Sequence, residues 1–483
     1  MDRRKFIRQG ALAAAAIAAG PLLGAEQLKI LDHVRALTKG RSKTLTLLHP
    51  EGCLAGLQPI IALFEKQTNV RINLIETGVD RTNAKILLDH SLKRSSFDLA
   101  LPATFGLFEL ATAEAIQSLD TFDQKWRNQL WHQQSRSAKT QTLYAVGDYV
   151  DQQHFGMQTD GDAYLMFFNR RIMQDQHIKT AYEDQFQTSF ALPQSWQELD
   201  QQMGFISAIT TGTPTFGGVL FRTAGYMLWE FWLRLHANGS LPVSAEFEPL
   251  INSPAGIAAL ESFLQASSAQ HPSSTKNNVF ENWEVYAKGQ CYCNIGWGGT
   301  QKYIHNRPHP PELQNIVTLA PGFKYLDDYI PMSYFNWGWS YVLSSQSTQA
   351  ELGYLFACFA TSPKVSAAAV AAPDGYFDPF LVSHYQAPAV QTAYGEQFLQ
   401  THQQAMALAI PDFYVHQQSA YFNALSEAIF LASNQRLSAK EALNHAANKW
   451  QVLTLKIGRA TQIKRWQHIK AHYPPLLLQH LQK

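Results

Sequence analysis

The residues best suited to chemistry in this chain are aromatic rings set near carboxylates. Trp297 stands in Gly296-Trp297-Gly298-Gly299, where three glycines leave little bulk around the indole. Tyr226 lies three residues before Trp229, and Asn336, Trp337 and Trp339 share one short segment. Acidic groups accompany them: Glu51 after His49-Pro50, Asp160 and Asp162 around Gly161, and Asp374 in Pro373-Asp374-Gly375-Tyr376-Phe377-Asp378-Pro379. Flat rings cover the C–H faces of polyhydroxylated molecules, and ionised carboxylates take their hydroxyl hydrogen bonds more strongly than neutral acceptors do. Plainer readings stand beside these. Trp297 suits a core, Tyr226 suits a packed helix face, and an Asp-Gly-Asp turn needs no ligand to explain it. Alternation along a strand puts Trp337 and Trp339 on one face and Asn336 on the other, so one set is structural and Trp337 is the one given to a ligand.

Other chemistries lack their signatures. Cys53, Cys291, Cys293 and Cys358 have no metal-binding spacing. Cys291 and Cys293 face the same side of a strand, where a disulfide would be strained, so buried free thiols are expected. No phosphate loop, His-Glu-x-x-His or nucleophile elbow occurs, and no cofactor is expected. An exported glycoside hydrolase would need two carboxylates flanking a bond, for which Asp160, Asp162 and Glu51 are the available set. Arg81 and Arg222 keep a phosphorylated ligand open. With 39 Lys+Arg against 38 Asp+Glu, the net charge of +1 argues against a nucleic-acid partner.

The elements that must position these groups come after an export signal. Arg3, Arg4, Lys5 and Arg8 precede an Ala/Leu/Ile/Gly run from Gly10 to Gly24, and small residues at Gly24 and Ala25 mark a cleavage point. The paired arginines resemble a twin-arginine signal, with departures at Asp2, Ile7 and Arg8. Four basic and one acidic residue fall in 1–25, so removing them takes the net charge from +1 to −2. No Cys ends the apolar run, so a lipoprotein is not expected; an uncleaved anchor is the alternative. Strands are expected at 44–48, 70–75 and 98–101, alternating with helices, which implies a mostly parallel sheet. Ligands of such sheets bind at the strand-end loops, here 50–56, 77–81 and 102–105, which brings in Glu51, Thr104 and Phe105. Thr104 also fits a helix N-cap. A second α/β region has strands at 163–168, 289–299 and 335–344 and helices at 193–203, capped by Ser195, and at 225–236. From Ser419 onward the pattern is helical, with Tyr421, Leu425 and Ile429 on one face.

Six segments in order then resemble the extracellular solute-binding proteins of ABC importers, of the maltodextrin/sugar-binding type. They are Leu63-Phe64-Glu65-Lys66-Gln67-Thr68, Ser96-Phe97-Asp98-Leu99, Phe167-Phe168-Asn169-Arg170, Leu192-Pro193-Gln194-Ser195-Trp196, Tyr286-Ala287-Lys288-Gly289-Gln290 and Leu437-Ser438-Ala439-Lys440-Glu441-Ala442-Leu443. The resemblance implies two α/β lobes, each a mostly parallel sheet flanked by helices, with a cleft between them and hinge closure. It implies a first lobe of 28–158 with 338–385, a second of 163–334 with 390–450, and a less familiar helical extension, 451–483. It also implies a periplasmic monomer without catalytic activity that hands a sugar to a membrane permease, a polyol or phosphorylated polyol being the alternative ligand. Onto its cleft positions fall Trp297 with Gly298, Tyr226, Asp162 as the sugar-gripping carboxylate, and Tyr421, with Tyr414 as competitor. Ala224 departs from the pattern where a carboxylate is common. Replacing Arg3 and Arg4 by Lys is expected to leave precursor in the cytoplasm on cell fractionation; unchanged export would remove the twin-arginine assignment.

Overall fold

The computed structural model describes residues 23–79, 81–126, 149–150, 152–209, 215–307 and 313–481. All but the last three residues of the expected export signal lie outside them. In chain order the strands are β1 (Lys43–Pro50), β2 (Val70–Thr77), β3 (Leu99–Ala100), β4 (Tyr149–Val150), β5 (Gln153–His154), β6 (Met157–Gln158), β7 (Leu165–Asn169), β8 (Phe216–Gly218), β9 (Cys291–Gly296), β10 (Asn315–Thr318), β11 (Ala320–Tyr325), β12 (Asp328–Phe335), β13 (Ser340–Leu343) and β14 (Ala409–Pro411).

Two main sheets carry the architecture. The first has the order β2-β1-β3-β13-β6 and the second β10-β7-β9-β8. β1 runs parallel to β2 and β3, whereas β13 is antiparallel to both β3 and β6. In the second sheet only β8 and β9 are parallel. The sheets are thus mixed, not mostly parallel. The reason is connectivity: strands arriving from the other sheet, such as β13, enter without a local βαβ crossover to orient them. The chain passes between the sheets at 159–164, 336–339 and 371–387.

Local sequence accounts for the elements. β1 and β9 sit inside their sheets; β9 is buried throughout and β1 from Leu47 to Pro50, as strands covered on both faces must be. Ser195 Oγ accepts the Glu198 N–H at 3.2 Å and starts the helix Trp196–Ala208. The helix Met227–Ala237 is buried over ten of its residues. It therefore has to satisfy its charges internally. Glu230 pairs with Arg222 at 2.7 Å and Arg234 at 2.9 Å, and Arg234 with Asp200 at 2.7 Å. Arg222 is consumed in this network, which removes it from the expected phosphate-binding role.

The C-terminal helices differ from expectation. Ser438 and Glu441 form a capping box that opens the helix Ala439–Ile457. That helix runs straight through 450 and 451, so no boundary falls there. The residues beyond it pack as part of the second lobe. Trp466 and Tyr473 are buried, Arg465 Nε donates to the Tyr414 carbonyl at 2.7 Å, and the Tyr473 hydroxyl lies 3.4 Å from His236 Nε2. Trp450 is fully buried, and its indole N–H donates to the Tyr421 carbonyl at 3.0 Å. All four cysteines are free and buried. No described helix is long and apolar enough to cross a membrane. Trp450→Ala is expected to cost about 3–5 kcal/mol in denaturant unfolding, as for other buried large-to-small changes; a change within error would mean that these helices are dispensable.

Candidate functional site

The chain passages between the sheets meet at a partly open cavity of about 60 Å³. Glu51, Gly52 and Cys53 reach it from the end of β1, Asp162 from the first passage, Trp337 and Trp339 from the second, and Tyr376 from the third. Two aromatic walls face it. One holds Tyr226, Trp297, Trp337 and Trp339; the other holds Phe280, Trp283 and Tyr376. In the first, Tyr226 stacks on Trp337 with centroids 5.6 Å apart and planes 18° from parallel, and Trp297 meets Trp337 edge-on at 6.4 Å. In the second, Trp283 contacts Tyr376 at 4.7 Å and Phe280 at 5.3 Å. The two lobes touch at the rim. Gly52 has φ +89°, and a Cβ there would lie 2.8 Å from the Phe280 ring. Only glycine fits both that backbone angle and that approach.

Trp337 is held in an unusual conformation. Its φ is +62°, a left-handed value costly for a bulky residue, and Gly338 follows with φ +44°. The segment is therefore a reversal between β12 and β13. It is not the continuous strand that 335–344 suggested, so alternation does not sort Asn336 from the tryptophans. Thr104 pins the reversal: its N–H lies 2.8 Å from the carbonyls of Trp337 and Gly338, and its hydroxyl donates to Trp337 O. Thr104 opens a 3-10 turn without acting as its cap. Phe105 meets Trp337 edge-on at 5.1 Å from behind. Asn336 Oδ1 takes the Trp297 indole N–H at 3.0 Å and so fixes that ring.

Trp297 does not stand free. It is 5% exposed and packed on Tyr164 at 5.0 Å. Its flanking glycines serve other neighbours: a Cβ at Gly298 would meet the Asp378 carboxylate at 2.5 Å, and one at Gly299 would meet Trp283 at 2.7 Å. The expected glycine-rich loop is in fact the start of a helix, Gly298–His305.

The acidic groups divide sharply. Glu51 is exposed at the cavity rim. Asp160 and Asp162 are buried, which overturns the solvated-turn reading; Gly161 between them abuts the Pro379 carbonyl, where a Cβ would sit 2.0 Å away. They join Asp378, and the three carboxyl groups lie within 4.8 Å of one another. Asp160 accepts the Asp378 N–H at 2.6 Å, and Asp162 accepts the Gly338 N–H at 3.2 Å. Asp378 accepts the Gly298 N–H and the Tyr394 hydroxyl, both at 2.7 Å. Burial, followed by the neighbouring negative charges, pushes the pKa of both Asp160 and Asp162 well above the carboxylate range. Lys302 lies under this cluster with Nζ 2.7 Å from the Val370 carbonyl and also bonded to Gly375 and Phe377; burial lowers its pKa to about 8 against the pull of Asp378 and Asp160. Amide and hydroxyl donors to these oxygens, with the ammonium below, make the cluster a hydrogen-bonded junction.

Of the residues singled out from sequence, Glu51, Asp162, Tyr226, Trp297 and Trp337 come together around the cavity. Thr104, Phe105, Asp160, Gly298 and Asn336 stand one layer behind it, holding those that line it. Asp374 is exposed and pairs with Arg307 at 3.1 Å; its neighbour Tyr376 lines the cavity instead. Tyr421 is fully buried in the helical region, its hydroxyl 2.9 Å from Thr454, and Tyr414 is also in that core. Arg81 is exposed and outside the lining, which contains no Lys or Arg among the described residues. Sequence reading missed the wall formed by Phe280, Trp283 and Tyr376, and missed Asp378. The spacing Phe280-x-x-Trp283 on one helix face was the available signal.

Because Trp297 is a packed ring, Trp297→Ala is expected to lose about 3–5 kcal/mol of stability on denaturant unfolding. Phe280→Ala, at a half-buried rim position, is expected to lose less. Equal losses would place Phe280 in the core as well.

Comparison with known proteins matches residues 60–395 to the bacterial extracellular solute-binding protein family. No curated protein sequence matches the chain. Among solved structures, maltose-bound MalE3 of T. maritima is similar with a TM-score of 0.72 and 14% identity, covering 85% of this chain and all of that one. A solute-binding protein of Agrobacterium radiobacter K84 in complex with ribitol has a TM-score of 0.71 and 16% identity over 85% of this chain and 98% of its own. The GacH receptor of Streptomyces glaucescens GLA.O, solved unliganded and with acarbose, has a TM-score of 0.69 and 15% identity over 86% and 98%. The two-lobed fold, the cavity where its chain passages meet and the family match over most of the chain agree: the protein belongs to the bacterial extracellular solute-binding proteins.

Proposed function

We propose that this protein is the exported solute-receiving component of an ABC importer and binds an uncharged carbohydrate or polyol between its lobes. The observation that carries the reading is the cavity itself: two groups of aromatic rings together with the carboxyl groups of Glu51 and Asp162. Rings cover the C–H faces of a hydroxylated solute while the carboxyl groups bond its hydroxyls. The structural relatives named above are described with maltose, ribitol and acarbose, which fits that chemistry. The phosphorylated alternative is disfavoured by a lining without Lys or Arg and by the commitment of Arg222 to Glu230. Export by the twin-arginine route to the periplasm, action as a monomer and delivery to a membrane permease complete the proposal. The hydrolase reading is disfavoured because the chain belongs to a family of solute-binding proteins.

A thermal-shift screen of maltose, ribitol, D-mannitol and acarbose is expected to raise the melting temperature with at least one of them, since a ligand specific to the folded state stabilises it by RT ln(1 + [L]/Kd). The solute should be recovered unaltered by mass spectrometry, and the radius of gyration from small-angle scattering should fall on its addition. Stabilisation by none of them, or release of a cleaved product, would overturn the reading.

A further inference from the structure

We propose that Asp162 meets the solute as an uncharged carboxylic acid, the least compensated member of its cluster with Asp160 and Asp378. The inference rests on the reading of this cavity as the solute site, but it concerns the charge the site presents. Three carboxyl groups lie within 4.8 Å of one another, all buried. Carboxylates this close cannot all ionise without compensation. The compensation present is unequal. Lys302 is drawn chiefly by Asp378, Asp160 and Asp374. Asp378 has two donors at 2.7 Å, from Gly298 at a helix N-terminus and from Tyr394. Asp160 has the Asp378 N–H at 2.6 Å together with the Gly161 backbone. Asp162 has one longer bond, 3.2 Å from the Gly338 N–H. Cys53, also in the lining, is no counter-charge; burial and the charges of Asp160, Asp162 and Glu76 keep it a neutral thiol. A neutral Asp162 accepts hydroxyls without requiring a counter-ion and gives a cationic analogue less advantage than two full carboxylates would.

The test needs no ligand, so its outcome is independent of which solute binds. Asp162→Asn is isosteric with the neutral acid and retains an N–H donor toward Asp378. The infrared difference spectrum, wild type minus D162N at pH 7, is expected to contain the C=O stretch of a protonated carboxyl that shifts in deuterated water. A difference confined to ionised-carboxylate bands would overturn the proposal. The second readout is the melting temperature against pH. A pKa raised in the folded state gives stability that is full below the unfolded carboxyl value and is lost as pH rises through the folded one. Wild type should therefore fall progressively relative to D162N as pH rises above the ordinary carboxylate range. A difference that stays constant with pH, or a D162N chain that does not fold at pH 7, would overturn it as well.

Discussion

The rest of this structure depends on how the backbone is satisfied where the chain passes between its sheets. Such passages are neither helix nor ladder, yet here they are buried, and buried amides must find acceptors. Asp160 of the first passage takes the amide of Asp378 in the third, Asp162 takes the amide of Gly338 in the second, and Asp378 takes the amide of Gly298 at the start of a helix. Lys302 closes the arrangement from below by donating to carbonyls of the third passage. Each carboxyl group therefore serves a segment other than its own. The cost is a concentration of acidic groups in a low dielectric, which the cluster meets with amide donors, one ammonium and protons.

The aromatic walls follow from that junction. A left-handed Trp337 is tolerated because Thr104 and Gly338 over-determine the turn around it. Behind it, Trp229 and Phe105 pack at 5.7 and 5.1 Å. Trp229 is fixed in turn by its indole N–H on Asp412, a carboxyl whose pKa burial raises to about 7. The same helix carries Glu230 and Arg234, whose buried pairs contribute little net stability but would be costly to leave half-made. The rings that line the cavity are thus the exposed edge of a packed aromatic core, which makes them rigid and preorganised for a flat ligand.

At 14–16% identity to the structural relatives named above, what is shared is the fold. Fold does not decide the solute; the lining does. In this chain that lining pairs two aromatic walls with acidic groups, and neither arginine considered for a phosphate is part of it. The lobes already touch at Gly52 and Phe280, so the cavity is partly shut on one side by a contact a single methyl group would disturb.

Sequence alone determined the local elements and the order of the segments. The β1, β2 and β9 strands, the Ser195 and Ser438 helix starts and the family resemblance all rest on patterns a few residues long, set by periodicity and capping. It also singled out Glu51, from its place in a strand-end loop, and, through the family resemblance, Asp162, Tyr226, Trp297 and Trp337. Tertiary structure decided the rest. Whether Trp297 is free or packed depends on Tyr164 and Asn336, far away in sequence. Asp374 and Tyr376 are two residues apart, and only packing on Trp283 sends the second to the cavity. Tyr421 shares its aromatic character with the lining residues, but Thr454 and Trp450 claim it for the core. The charge state of Asp162 was beyond sequence altogether, because it is set by the distance between three carboxyl groups and a lysine, and electrostatic interaction in a buried site depends on that distance and on the exclusion of water.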